Sequence, residues 1–318
     1  MGKEYCPVDL REVTTYPLQQ RKNRVQYSDF GKPCTSGASF EDFVNSLPHI
    51  LAGDDFRAVV EAIVLACKNE RPVVFAMGAH VIKCGLSPFV INLMRQGVVS
   101  AIAMNGAGAI HDFEIALIGE TSEDVAEGLQ AGMFGMAEET GRLINEAIND
   151  AARQGVGLGE SVGRKIIDMN TPFKEYSALA HAVEMKIPAT IHVAIGTDII
   201  HMHPAANGRA IGEASFLDFR LLTSVVANLG GGGVYLNVGS AVILPEVFVK
   251  ALTIARNLGH DVTNFTTVDL DMQQHYRPMQ NVVKRPTMDG SKGYALTGHH
   301  ELMIPLISQA VVEELAAV

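Results

Sequence analysis

The feature that most constrains this chain is an alternation. From Ser39 onward, short runs of Val, Ile and Ala, apolar on successive residues, alternate with segments of helical period. Strands of that kind are buried on both faces, and the intervening segments are long enough for right-handed crossovers. The pattern predicts an α/β fold, a mostly parallel sheet covered by helices on both faces. Strands are expected in "RPVVFAMGAH" (71–80), "VVSAIAMNGAG" (98–108), "IPATIHVAIGTD" (187–198), "GGGVYLNVG" (231–239) and "HDVTNFTTVD" (260–269). Helices are expected over 54–68, from Ser87-Pro88, over 121–153, from Asn170 to Lys186, and over 214–229, 245–259 and 301–315.

Residues 1–38 lack this pattern and read as a polar N-terminal arm that wraps the body or crosses to a partner subunit; residues 39–318 read as a single α/β domain. The 318 residues are 47% hydrophobic and 19% charged, enough apolar material for a large core and too much for a disordered chain. A net charge of -10 argues against a nucleic-acid footprint. The first residues have no apolar run of signal-peptide length, and no later run reaches membrane-spanning length, so a cytoplasmic location is expected. The four cysteines, Cys6, Cys34, Cys67 and Cys84, match no compact zinc motif and read as reduced thiols.

In a parallel sheet, ligands bind beyond the C-terminal ends of the strands. The expected ends are rich in small residues: Gly78-Ala79-His80, Asn105-Gly106-Ala107-Gly108, Gly196-Thr197-Asp198, Asn237 to Ser240, and Thr266 to Asp269. From these, Gly78, Ala79, His80, Asn105, Gly106, Ala107, Gly108, Thr197, Asp198, Thr267 and Asp269 are the candidate cofactor-binding residues. No GxGxxG fingerprint is present. His111 follows a glycine turn and can serve as acid or base if it faces the crevice, and the adjacent Asp112 can cap a helix. His201 and His203 lie in a polar loop and offer either catalytic groups or two metal ligands, with Asp198 or His111 as a third. Lys284, near Arg277 and Arg285, is either surface charge or a lysine able to form an imine with a carbonyl carbon.

Taken in order, "GAHVIKCG", "NGAGAIHD", "IPATIHVAIGTDIIHMHP", "NFTTVDLD" followed by Arg277-Pro278 and Lys284, and "ELMIPLI" resemble deoxyhypusine synthases from about Phe75 to the C-terminus. The resemblance implies a Rossmann-like NAD-binding fold, a homotetramer, and transfer of an aminobutyl group held as an imine on a lysine. It assigns the cofactor to Thr197, Asp198, the 106–108 turn and the 79–85 turn, and the imine to Lys284. Catalytic roles are expected for Lys284, His111 and His203. The sequence also departs from the family. Ile110 and His111 stand where two glutamates hold the amine, Val242 to Pro245 replaces a histidine pair, and there is no tryptophan. These losses suit a neutral or anionic small-molecule substrate, since a cation in a dry pocket without carboxylates pays a large desolvation cost. A metal-assisted enzyme using His201 and His203, and a non-catalytic binding protein on the same fold, are the alternatives.

Overall fold

A computed structural model describes residues 2–316. Six strands form one sheet: β1 (Val73–Met77), β2 (Ala101–Asn105), β3 (Ala189–His192), β4 (Val234–Val238), β5 (Thr266–Asp271) and β6 (Lys292–Thr297). Every pairing is parallel, and the order is β3-β2-β1-β4-β5-β6. The order reverses direction between β1 and β4. Crossovers from these two strands leave on opposite faces, which makes their C-terminal ends the switch point at which sheets of this kind bind ligands.

The helices are α1 (Phe40–Ser46), α2 (Ala52–Lys68), α3 (Ala79–Lys83), α4 (Ser87–Arg95), α5 (Gly106–Ile118), α6 (Val125–Ala131), α7 (Glu138–Gln154), α8 (Leu158–Asp168), α9 (Ala178–Glu184), α10 (Gly208–Val226), α11 (Ile243–Asn257), α12 (Tyr276–Pro278) and α13 (His300–Ala316). Alternation along β1 shows the two layers. Val73, Phe75 and Met77 pack with α2, α4, α5, α8, α9 and α13. Val74 and Ala76 pack with the second half of α10 and with α11. Both faces are covered, so the strands carry no polar alternation.

The expected α/β class and parallel sheet are observed. Local expectations differ in several places, and the helix expected from Asn170 to Lys186 is a 3-10 turn (Lys174–Tyr176) followed by α9. The single helix expected over 121–153 is two helices, α6 and α7, broken by the left-handed Gly132 and Gly135. The "NGAGAIHD" turn is already helical, because Asn105 caps α5 directly at the end of β2. Strand β6, which the pattern did not reveal, is the exposed edge of the sheet and is mostly polar on its first residues.

Buried carboxylates tie the helices to the sheet. Asp218 of α10 is fully buried and its Oδ2 accepts from the Gly159 and Ile191 amides at 2.9 and 2.8 Å, joining α8 and β3. Asp112 of α5 accepts from Ser177 Oγ at 2.6 Å and from the Ala178 and Leu179 amides, and so caps α9 instead of its own helix. The arm has two short 3-10 turns and is exposed almost throughout, with Tyr5, Leu10, Tyr16, Tyr27 and Phe30 uncovered. No helix among the described residues is long and apolar enough to cross a membrane.

Burial raises the Asp218 carboxyl to about 7, against the amide bonds that lower it. The folded chain then holds a proton that the unfolded chain has lost between about pH 4 and about pH 7, so this group's contribution to stability falls as pH rises through that window. Asp218→Asn keeps an acceptor and is expected to flatten that slope. Asp218→Ala leaves two amides without a partner and is expected to cost about 2–4 kcal/mol. Urea unfolding of both variants across the pH range checks this.

Candidate active site

The site is built where β2 passes into α5. Asn105 Oδ1 accepts from the Gly108 amide at 3.0 Å and fixes the first turn. Gly106 is required there because a Cβ would fall 2.1 Å from Asp198 Oδ2. Asp198 therefore lies over the start of α5 and accepts from the Ala107 amide. Burial pushes its carboxyl up, while His201 and the Ala107 amide pull it down. His201 in turn fixes the loop that carries Asp198: its Nδ1 accepts from the Gly196 and Asp198 amides at 3.2 and 3.3 Å. The helix start is thus neutralised by the chain's own carboxylate.

One turn into α5, His111 lines an open pocket. Lys83, Ile110, Glu114, Glu123, Phe134, Thr197 and Asp198 also line it. Gly119 ends α5 in a left-handed turn, and the returning chain brings Thr121 against His111. Thr121 Oγ1 donates to Glu114 Oε2 and stands 2.7 Å from His111 Nδ1. Thr140 Oγ1 donates to the other Glu114 oxygen at 2.9 Å. With the Thr121 proton committed to Glu114, its oxygen accepts, so His111 carries its proton on Nδ1. Nε2 is left with its lone pair and no partner among the described residues. Burial, then the nearby Lys83 ammonium, hold the His111 imidazole down at about 4. The ring is neutral at ordinary pH.

The other expected site residues fall in several places. Gly78 extends the β1 ladder by donating to the Val238 carbonyl at 2.8 Å, and Ala79 opens α3 at the mouth of the crevice. His80 is exposed, with Nε2 3.2 Å from Cys84 Sγ. Ala107, Thr197 and Asp198 line the pocket, while Asn105, Gly106 and Gly108 form the first turn of α5 behind it. Thr197 Oγ1 donates back to the Ala194 carbonyl at 2.7 Å.

Two cofactor candidates need correction. Thr267 and Asp269 lie inside β5, which runs on to Asp271. Thr267 is fully buried and donates to the Val282 carbonyl, a structural bond. Asp269 is buried under the β4–β5 edge, accepting from Asn237 Nδ2 at 2.7 Å. Burial raises its carboxyl to about 6.

Lys284 is exposed and is not brought to this pocket. It ends a π-helical turn, Met279–Lys284, that runs back along β5 and β6. Val282 is bonded to the second residue of β5, and a Cβ on Gly293, the second residue of β6, would strike the Val283 carbonyl. Lys284 therefore lies toward the N-terminal ends of the strands, the edge opposite His111. His203 is also turned away, with Nε2 3.2 Å from Glu138 and Nδ1 accepting from Ala205. Since the Nδ1 atoms of both His201 and His203 accept backbone amides, neither histidine offers that nitrogen to a metal. No group of three or more His, Cys, Asp or Glu among the described residues is placed to hold one. The metal reading is set aside.

Sequence reasoning missed Lys83, Glu114, Thr121 and Thr140. Glu114 lies three residues after His111 on the same helix, and beginning that helix at Asn105 would have exposed the pair. Thr121 and Thr140 gave no signal, since only chain reversal at Gly119 and packing of α7 bring them in.

The turns after β1 and β4, Gly78-Ala79 and Gly239-Ser240, pack against each other: a Cβ on Gly78 would fall 2.2 Å from the Gly239 carbonyl oxygen, and one on Gly239 2.5 Å from the His300 ring. Asn237 Oδ1 and Asp269 Oδ2 are buried within the sheet without a hydrogen-bond partner among the described residues. A nucleotide phosphate has no place at the start of α5, where Asp198 already sits.

No family model and no curated protein matches the sequence. Solved structures do resemble the fold. The ternary complex of AgrE with ornithine and NAD+ superposes with a TM-score of 0.51 at 16% identity, covering 83% of this chain and 34% of that one. ArgZ, an arginine dihydrolase of cyanobacteria, gives 0.50 at 16% identity, covering 81% and 31%. A protein from Entamoeba histolytica, provisionally named a deoxyhypusine synthase, gives 0.50 at 14% identity, covering 89% and 96%. The chain spans about a third of the length of ArgZ and AgrE and nearly all of the Entamoeba protein. At these identities the likeness establishes a Rossmann-like fold shared with deoxyhypusine synthase-like and NAD-binding proteins.

Because Lys83 repels a proton on His111, Lys83→Met is expected to raise the pH at which His111 titrates from about 4 toward the ordinary histidine value. Thr121→Val is expected to release the ring and mix its tautomers. Nitrogen NMR of the histidine rings over a pH series measures both.

Proposed function

We propose that this chain is a nicotinamide-dependent enzyme, an oxidoreductase or a transferase working by oxidation, that acts on a small molecule in the His111 pocket. One observation carries the reading: a neutral, tautomer-fixed histidine lines a pocket on the same sheet edge as the β1/β4 reversal. The NAD+ bound to AgrE and the resemblance to deoxyhypusine synthases support the choice of cofactor. Bound in the crevice, a nicotinamide would supply the acceptor of a hydride. The chain's own groups do the rest. His111 Nε2 takes or gives a proton, Glu114 and Thr121 hold its tautomer, and the loop at 193–203 closes one wall. The lysine at this edge is Lys83, so the reading does not pass through an imine on Lys284 of the same chain.

Calorimetric titration tests the cofactor. NAD+ or NADH is expected to bind, Ala79→Asp to weaken binding by more than about tenfold through charge repulsion, and Lys284→Ala to leave it unchanged. Absence of binding at millimolar nucleotide would overturn the reading.

We also propose that the chain self-associates, as a tetramer by resemblance, and that the arm takes part. The arm, residues 1–38, carries six Lys and Arg against four Asp and Glu, net +2, which leaves -12 on the remainder of a chain of net charge -10. Its uncovered aromatic side chains and its charge both suit the acidic body of another copy. Light scattering is expected to show a smaller assembly once residues 1–38 are removed.

A further inference from the structure

We infer that the outer face of α10 is a two-fold docking surface for a second copy of this chain, with Glu213 of each copy paired to Arg220 of the other across Phe216. The inference rests on the proposed self-association for the fact that copies meet, and on this face alone for where they do.

Helix α10 covers the sheet with one side only. Ala210, Ile211, Ala214, Leu222 and Val226 are buried there. On the opposite side, where a helix of this kind carries polar groups, Phe216 stands 61% exposed and stacks on Phe219 at 6.3 Å. An apolar groove runs on from this pair between α10 and α11, past Thr223 and Ala227 to Ile254 and Leu258. Leu258 is 69% exposed. Glu213 lies three residues before Phe216 and Arg220 four after, so the three share one exposed stripe. Neither charged side chain has an ion pair or a hydrogen bond among the described residues, whereas Lys250 and Arg256 of the neighbouring α11 are paired with Glu246 and Asp289.

Charge decides the occupant. The chain carries -10 overall, which opposes the approach of most acidic surfaces to one another. This stripe has one acid and, with Arg209 a turn earlier, two bases. It does not repel a copy of itself, and its positive balance gives the net +2 of the arm no attraction. The order of acid, aromatic and base is also self-complementary. When two α10 helices cross antiparallel about an axis beside Phe216, Glu213 of one copy meets Arg220 of its partner, twice. The Phe216 rings then cover one another and the mouth of the groove, and exposed apolar surface leaves water.

Charge reversal tests the surface by sedimentation velocity of the full chain. E213R and R220E are each expected to weaken association at this face by more than roughly tenfold, since each sets like charges against each other twice across the axis. An equimolar mixture of the two variants is expected to recover it, because each copy then offers the charge that the other lacks, and the double variant is expected to recover it alone. Phe216→Asp is expected to lose it in every combination. All three side chains are exposed, so circular dichroism is expected to show the natural fold throughout. The inference is overturned if both single variants assemble like the natural chain, if the mixture stays dissociated, or if the assembly is lost on removal of residues 1–38 and unmoved by the reversals, which assigns the contact to the arm. A natural chain that is monomeric at millimolar concentration removes the self-association reading and this inference with it. A natural chain that assembles while the reversals have no effect removes this inference only.

Discussion

The site depends on one buried carboxylate at one helix start. Asp198 lies over Gly106, accepts from Ala107, and holds the 193–203 loop against α5. Isolated, such a group would be costly to bury. Here a helix N-terminus supplies an amide and a favourable dipole, and His201 fixes the loop from the other side. The same contact decides the chemistry beyond it. It removes the α5 start as a phosphate site and forms the wall that faces His111.

The same device recurs deeper in the molecule. Asp112 reaches from α5 to cap α9, and Asp218 reaches from α10 to the amides of α8 and β3. Both carboxyls are pushed up by burial, to about 6 and about 7. The helices of one face are therefore pinned by directional polar bonds as well as by apolar packing. That rigidity holds α5, and His111 with it, in a fixed orientation to the sheet edge.

At several expected site residues, chemical type and position in the fold part company. Lys284 matched a reactive lysine by order along the chain, yet the π-helical return from β5 carries it to the opposite sheet edge. Thr267 and Asp269 matched a strand end, yet β5 continues two residues past Asp269. His201 and His203 had the types and spacing of ligands, yet backbone amides already occupy a nitrogen of each. In each case the residue type was read correctly and its surroundings were not, because backbone bonding partners are set by the loop path.

What the sequence determined by itself is the layered parallel sheet and the edge at which a ligand would sit. Strands apolar on both faces and helices of amphipathic period admit few other arrangements, and short-range physics fixes them. The small residues after β2 mark the helix start beside which the His111 pocket lies. What only the tertiary structure decided is which polar groups remain unspent there. Lys83, His111, Glu114, Thr121 and Thr140 come from three helices and a loop, and their roles follow from who donates to whom. Hydrogen-bond partnership across a fold depends on distances of a few ångströms between segments far apart in sequence, and no local pattern encodes it.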